Sequence, residues 1–324
     1  MIFSISKTQI LALWVVCSNL LIHQAFATVP VIGTPSWPSA RVTAHIISQL
    51  LERELGIRAE LRDRSTLGIL AGINTGELHI HPEIWLPNLK KRVDYLVNKE
   101  GTLKLSGLSS VANQNICVTK DTVKLTGIKN VSDLSDPNMA VKFDTNSDGF
   151  GEIWIGAQNW SSTNIERIRA KSYAYDKTMS LLVMEEDVAM AAVDVAVALG
   201  KPYVFYCYSP HHVFELHDIQ ILEEPTHDSG AWKVVTAAKD PNWLENSEAG
   251  SAWASSSFRI GYSTFISKKM PNVAIFLDRV NFNPAHSMWM SYQVQVEGVS
   301  PADAARTWIE NNKNIVMRWL GKAN

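Results

Sequence analysis

Four aromatic residues stand where a strand gives way to a helix or turn, the positions from which an open α/β sheet contacts its ligands. Trp37 lies in Gly33-Thr34-Pro35-Ser36-Trp37-Pro38-Ser39, Trp85 in His81-Pro82-Glu83-Ile84-Trp85-Leu86-Pro87, and Trp160 in Gly156-Ala157-Gln158-Asn159-Trp160-Ser161-Ser162. Tyr208 closes the apolar run Val204-Phe205-Tyr206-Cys207 ahead of Ser209-Pro210. Any one of them could be an ordinary core aromatic, but their shared placement on turns is harder to assign to packing. Aromatic faces are negative and attract cations, by about 0.5 to 2 kcal/mol per ring once water is excluded. Ser161 and Ser162 open a predicted helix, where free N–H groups and the dipole suit an anionic group.

A second set of residues offers oxygen ligands. Asp144-x-Asn146-x-Asp148-Gly149-Phe150-x-Glu152 has the spacing of an EF-hand-type calcium loop through its ninth position. Ile155 takes the twelfth position, so the usual bidentate Glu is missing and another part of the fold has to complete the shell. The plainer reading is an Asx-rich turn with its carboxylates in water. His79 and His81, with His211, His212 and His217, invite a zinc reading, but their spacing is too loose to specify a tetrahedral site. No Gly-x-Ser-x-Gly, His-Glu-x-x-His, phosphate loop or dinucleotide fingerprint occurs, which leaves binding without catalysis as the preferred class.

The chain that positions these residues has 324 residues, 46% of them hydrophobic, and a formal net charge of -2. That balance gives no basis for a nucleic-acid partner. At this length a single core is near its upper limit, so two lobes are expected. The first 27 residues read as a signal peptide: Lys7, an apolar run from Ile10 to Ile22, then Ala25-Phe26-Ala27 as the cleavage site. The run is too short for a membrane span, and Trp14-Val15-Val16 ahead of Cys17 disfavours lipidation. Cys117 and Cys207 then remain, in apolar strand-like runs where buried thiols are expected. A disulfide is the alternative that an oxidising compartment would permit.

Apolar spacing predicts a strand at 29–32, then a helix capped by Ser39, with Val42, Ile46, Ile47, Leu50 and Leu51 on one face and Gly56 as its stop. A strand at 57–61, a helix at 66–75 and a strand at 78–80 complete a βαβαβ series and imply a parallel sheet. Further on, the pattern predicts a strand at 111–119, a long helix at 178–199, a strand at 203–208, and mainly helix after Pro225.

The segment Phe143-Asp144-Thr145-Asn146-Ser147-Asp148-Gly149, Trp160 after it, and Gly200-Lys201-Pro202 leading into Val204-Phe205-Tyr206-Cys207-Tyr208-Ser209-Pro210 resemble the periplasmic glycine betaine-binding proteins of ABC importers. With Trp85-Leu86-Pro87 the resemblance extends over nearly the whole chain after residue 27. It implies an α/β, two-lobed periplasmic-binding-protein fold of the type II kind, with the ligand in the interlobe cleft. It also implies an aromatic box around a quaternary ammonium, formed at the matching positions Trp85, Trp160 and Tyr208. The family commonly has Trp where Tyr208 stands, which bears on box size and preference. Trp37 joins the set through its loop position and its likeness to betaine binders that use an early Trp.

The expected organisation is therefore a signal peptide at 1–27, lobe one from 28–115 and 216–324, and lobe two from 116–215. The expected role is a periplasmic, monomeric, non-enzymatic protein that captures glycine betaine, trimethylamine N-oxide, choline, carnitine or a sulfonium analogue and hands it to an ABC permease. The ligand-binding residues are Trp37, Trp85, Trp160, Ser161, Ser162 and Tyr208. No cofactor is required, and Asp144, Asn146, Asp148, Phe150 and Glu152 form a candidate structural calcium site. The alternative is a secreted hydrolase or metal-dependent enzyme on the same scaffold.

Overall fold

The computed structural model describes residues 29–322. The signal-peptide reading, with Cys17, lies outside them. In chain order the strands are β1 (Val31–Thr34), β2 (Glu60–Asp63), β3 (Ile80–Leu86), β4 (Leu103–Leu105), β5 (Ser110–Thr119), β6 (Gly151–Trp154), β7 (Met179–Leu182), β8 (Val204–Ser209), β9 (Ile219–Ile221), β10 (Trp232–Lys233), β11 (Glu248–Ala249) and β12 (Ser256–Ser263). One mixed sheet runs β2-β1-β3-β12-β5-β8-β6-β7, with β4 added on β12 and β9 on β5. The two ends are parallel, as connections through helices require. The parallel pairing expected of the first three strands holds for β1, β2 and β3, whereas the middle of the sheet is antiparallel.

Strand β5 joins the two halves. Its residues Ser110–Ala112 pair with Ser256–Phe258 of β12, while Asn113–Val118 pair with β8. Among the described residues the apolar side chains form three clusters. One gathers Ile116, Val118, Ile153, Trp154, Val204 and Phe205 and reaches Trp37 and Trp85. A second gathers Ile32, Ile46, Leu50 and Ile80 with Phe276, Trp308 and Trp319, so residues from both ends of the chain share it, and a smaller third gathers Ile69, Leu70, Ile73 and Leu78. The helix Pro38–Leu55 supplies that second core from one face, on which Val42, Ile46, Ile47, Leu50 and Leu51 are buried.

Several expectations shift. Trp37, not Ser39, is the N-cap, because Pro38 takes the first helical position, where its missing N–H costs nothing. The Thr66–Thr75 helix stands as expected, with Gly76 at its C-cap. β2 and β3 begin two or three residues later than the apolar pattern implies, and β3 runs on to Leu86. The stretch from Thr178 is not one helix: Met179–Leu182 pairs with Gly151–Trp154, and the helix spans only Glu186–Leu199 before Gly200. β12 lies in a segment expected to be helical; Ser256 to Ile260 alternate buried and half-buried positions, a two-residue period. Cys117 and Cys207, expected as thiols, form a disulfide, since neighbouring antiparallel strands hold their Cα atoms 5.8 Å apart. No helix of the described residues is long and apolar enough to cross a membrane.

Candidate ligand-binding site

The four aromatic residues singled out by their turns come together at the junction of the two halves. Trp37 caps the Pro38–Leu55 helix, Trp85 is the penultimate residue of β3, Trp160 caps the Ser161–Ser172 helix, and Tyr208 is the penultimate residue of β8. With Ser161 and Ser162 they line a cavity of ≈ 40 Å³. Their rings stand nearly perpendicular to one another: Trp37 to Trp160 at 6.3 Å and 86°, Trp85 to Tyr208 at 5.4 Å and 85°, Trp160 to Tyr208 at 5.8 Å and 80°. Phe258 stacks behind Trp85 at 5.1 Å and fixes that wall.

Every polar atom of these four rings has a protein partner. Trp37 Nε1 and Trp85 Nε1 donate to Glu83 Oε2 at 2.6 Å and 3.3 Å, and Ser39 Oγ donates to the same oxygen at 3.2 Å. Tyr208 donates its hydroxyl to Glu186 Oε1 at 2.5 Å. Trp160 Nε1 donates to Ser36 Oγ at 3.0 Å, and Ser36 donates to Asn159 Oδ1 at 3.1 Å. Burial pushes the Glu83 carboxyl up to about 7, against the opposing hydrogen bonds from Trp37, Trp85 and Ser39. Burial, then the neighbouring Glu186, raises Tyr208 well above the ordinary phenol value, which keeps it neutral.

At Ser161 the helix begins without a side-chain cap, so its first backbone N–H groups have no partner within the helix. Ser161 and Ser162, the first two residues of that helix, line the cavity with the rings. A cavity with aromatic faces and helix-terminal donors can hold an apolar cation with an anionic tail.

Four further lining residues escaped the sequence reading: Thr66, Asn88, Gln114 and Tyr206. Tyr206 lies two residues before Tyr208 and shares its strand face, which the two-residue period could have indicated. Gln114 is a buried polar residue in the middle of β5, between Asn113 and Asn115. Its Oε1 accepts from Tyr206 at 2.8 Å and from Asn88 Nδ2 at 2.8 Å, while its Nε2 donates to Asn88 Oδ1 and Ser256 Oγ. Asn88 follows Trp85-Leu86-Pro87 directly, and Thr66 carried no signal of its own.

Ligand oxygens of Asp144, Asp148 and Glu152 lie within 4.8 Å of one another, the only such group of His, Cys, Asp or Glu among the described residues. The loop also makes Asx turns: Asp144 accepts from the N–H groups of Asn146, Ser147 and Gly149, and these bonds, that of Gly149 foremost, hold its carboxyl below the ordinary range. Asn146 Nδ2 donates to Asp148 Oδ2, and the Phe150 N–H to Asp148 Oδ1. Glu152 accepts from Thr145 on Oε2, while its Oε1 is buried without a partner. The five histidines do not converge. His79, His81 and His211 each accept a backbone N–H on Nδ1, His212 bonds Ser291, and His217 pairs with Asp194.

Residues 30–311 match the family described as the substrate binding domain of ABC-type glycine betaine transport systems. Across 298 residues, 88% of either chain, the protein is 22% identical to a trimethylamine N-oxide-binding protein of Pelagibacter ubique. It is 27% identical to a glycine betaine/proline betaine-binding periplasmic protein of Salmonella typhimurium over 107 residues, 33% of this chain and 32% of that one. Among solved structures, an ABC-transporter choline-binding protein in complex with choline superposes with a TM-score of 0.70 at 15% identity, covering 91% of this chain and 92% of the other. Lactococcal OpuAC in its closed, glycine betaine-bound conformation does so with a TM-score of 0.66 at 18% identity, covering 90% and 98%. These neighbours share the two-lobed periplasmic-binding-protein fold.

Proposed function

The chain belongs to the family of substrate-binding domains of ABC-type glycine betaine transport systems, and from that membership we propose that it captures glycine betaine or a close methylated relative and delivers it to a membrane permease. Family and fold are those of a binding protein and not an enzyme, and the hydrolase alternative gains no support from either. The ligand class rests on one observation: perpendicular rings whose N–H and O–H groups are all taken by protein partners. Their faces suit a headgroup that donates no hydrogen bond, and trimethylammonium is such a group. Trp37, Trp85, Trp160 and Tyr208 hold it, and Ser161 and Ser162 receive the carboxylate. Three or four rings with a few hydrogen bonds can reach about -8 kcal/mol, near micromolar affinity. Trimethylamine N-oxide, choline, carnitine and sulfonium analogues likewise present a methylated cationic centre that donates no hydrogen bond, and compete for the same box.

Glycine betaine against glycine is the test. An aromatic box cannot satisfy the N–H donors of a primary ammonium, and burying them unpaired costs several kcal/mol. Calorimetric titration should give a preference for glycine betaine above a hundred-fold, about 3 kcal/mol. Comparable binding of glycine would make these rings core residues.

The protein acts in the periplasm after removal of residues 1–27, as a monomer. Its lobes divide near residue 115, and the second crossing falls close to β12, since residues 219–253 pack on β5 and the Ser161–Ser172 helix. Calcium is a second reading for Asp144, Asn146, Asp148, the Phe150 carbonyl and Glu152, supported by the unpartnered, buried Glu152 Oε1 beside two carboxylates. A chelator should then lower the melting temperature and added calcium restore it by mass action. No shift, with no metal by elemental analysis, would leave the loop as a turn.

A further inference from the structure

We propose that Glu186 is a specificity-determining residue, acting through Tyr208 to favour ligands with a positively charged headgroup over neutral ligands of the same shape. This rests on the ligand class proposed above. Glu186 is the first residue of the Glu186–Leu199 helix, where the helix dipole favours an anion. It is 5% exposed. Its Oε1 accepts the Tyr208 hydroxyl at 2.5 Å. His211 Nε2 lies 3.1 Å from the same oxygen, at an angle short of a hydrogen bond. Because His211 Nδ1 accepts the Val213 N–H, the imidazole carries its proton on Nε2, facing the carboxylate. The other oxygen, Oε2, is buried and has no partner among the described residues.

A helix terminus, a phenol and an imidazole N–H thus converge on one carboxylate. Glu186 does not line the cavity; Tyr208 does. A phenol that donates to an anion gains electron density in its ring, and the attraction of that ring for a cation rises with it. The charge therefore reaches the ligand through the aromatic wall, with no carboxylate exposed to bind metal ions or primary amines. Trp160, whose N–H goes to the neutral Ser36, has no such support.

The experiment compares choline with its carbon isostere, in which a tert-butyl group replaces trimethylammonium, by calorimetry on the full-length mature protein. The native protein should prefer choline by about ten-fold or more. Glu186→Gln keeps a partner for the hydroxyl and removes the charge, and should narrow that preference about three-fold or more; Tyr208→Phe should narrow it similarly, and the double variant no further. A packing role would weaken both ligands together and leave their ratio unchanged. Melting curves establish that each variant is folded, and if Glu186→Gln is not, Tyr208→Phe decides. An unchanged ratio in a folded variant overturns the inference alone, whereas native protein that prefers neither ligand overturns the functional reading as well.

Discussion

Glu83 receives the indole N–H groups of Trp37 and Trp85 on one oxygen and keeps its other oxygen buried without a partner. Burial favours the protonated form, so between 4.5 and about 7 the folded chain holds a proton that the unfolded chain has released. Stability contributed by this group is therefore present below the unfolded value and falls as pH rises through that window. A cation in the box reverses the preference by stabilising the carboxylate. Affinity for a quaternary ammonium should accordingly rise with pH through about 7 and level off above it. Calorimetry across that range should show the rise, and Glu83→Gln should flatten it. His81, pushed down to about 3, and His212, pushed down to about 2, both chiefly by burial, stay neutral throughout and cannot supply the effect. Native affinity that ignores pH would mean that Glu83 does not sense the ligand. Four of the five rings that line the cavity were legible, because aromatic residues on turns announce themselves by type; Tyr206, inside a strand, was not. Glu186 and Gln114 in the polar layer behind them were not, because they read as ordinary helix and strand residues until their partners, distant in sequence, are brought beside them.

At the scale of elements, the Ser161–Ser172 helix has to start at one point for Trp160 and the free N–H groups to face the cavity. Gly156 secures that start. Its φ is +118°, and a Cβ there would lie 2.5 Å from Thr163 Oγ1 and 3.4 Å from Trp160 Cε3. Thr163 in turn donates to the Ala157 carbonyl at 2.6 Å, tying the first turn of the helix to the loop. Gly156→Ala should lose about 1 to 3 kcal/mol of stability and at least about ten-fold in glycine betaine affinity, because strain at this φ is released by shifting the helix start. Gly200→Ala is the control: its φ is +60° and the space around it is open. Thermal melts should register both changes, whereas titration should register only the first. Equal affinities would show that the loop absorbs the added methyl without moving Trp160. The sequence announced helices such as Thr66–Thr75, whose start at Ser65 and stop at Gly76 are local signals. It concealed β7 and β12, because Met179–Leu182 and Ser256–Ser263 are strands by virtue of the neighbours they pair with, a choice that local propensity does not make.

For the whole molecule, the question is what holds the two halves together around a ligand. Ser36, ahead of the first helix, accepts from Trp160 Nε1 and donates to Asn159, the two residues that lead into the Ser161–Ser172 helix of the other half. The edge-to-face contact of Trp37 with Trp160 lies beside this pair. The clasp thus involves one of the rings proposed to bind the ligand, which couples closure to occupancy. In a closed molecule Ser36→Ala would leave the Trp160 N–H buried without an acceptor, at a cost of about 1 to 3 kcal/mol; in an open one, water would take the place of the hydroxyl. Because only the closed state loses, the change should appear in escape and not in encounter. Stopped-flow tryptophan fluorescence should therefore record glycine betaine dissociation faster by about ten-fold, with association within about two-fold of native. A slower association with unchanged dissociation would place the Ser36 contact before ligand capture, as a feature of the empty molecule, and the coupling of the clasp to occupancy would be lost.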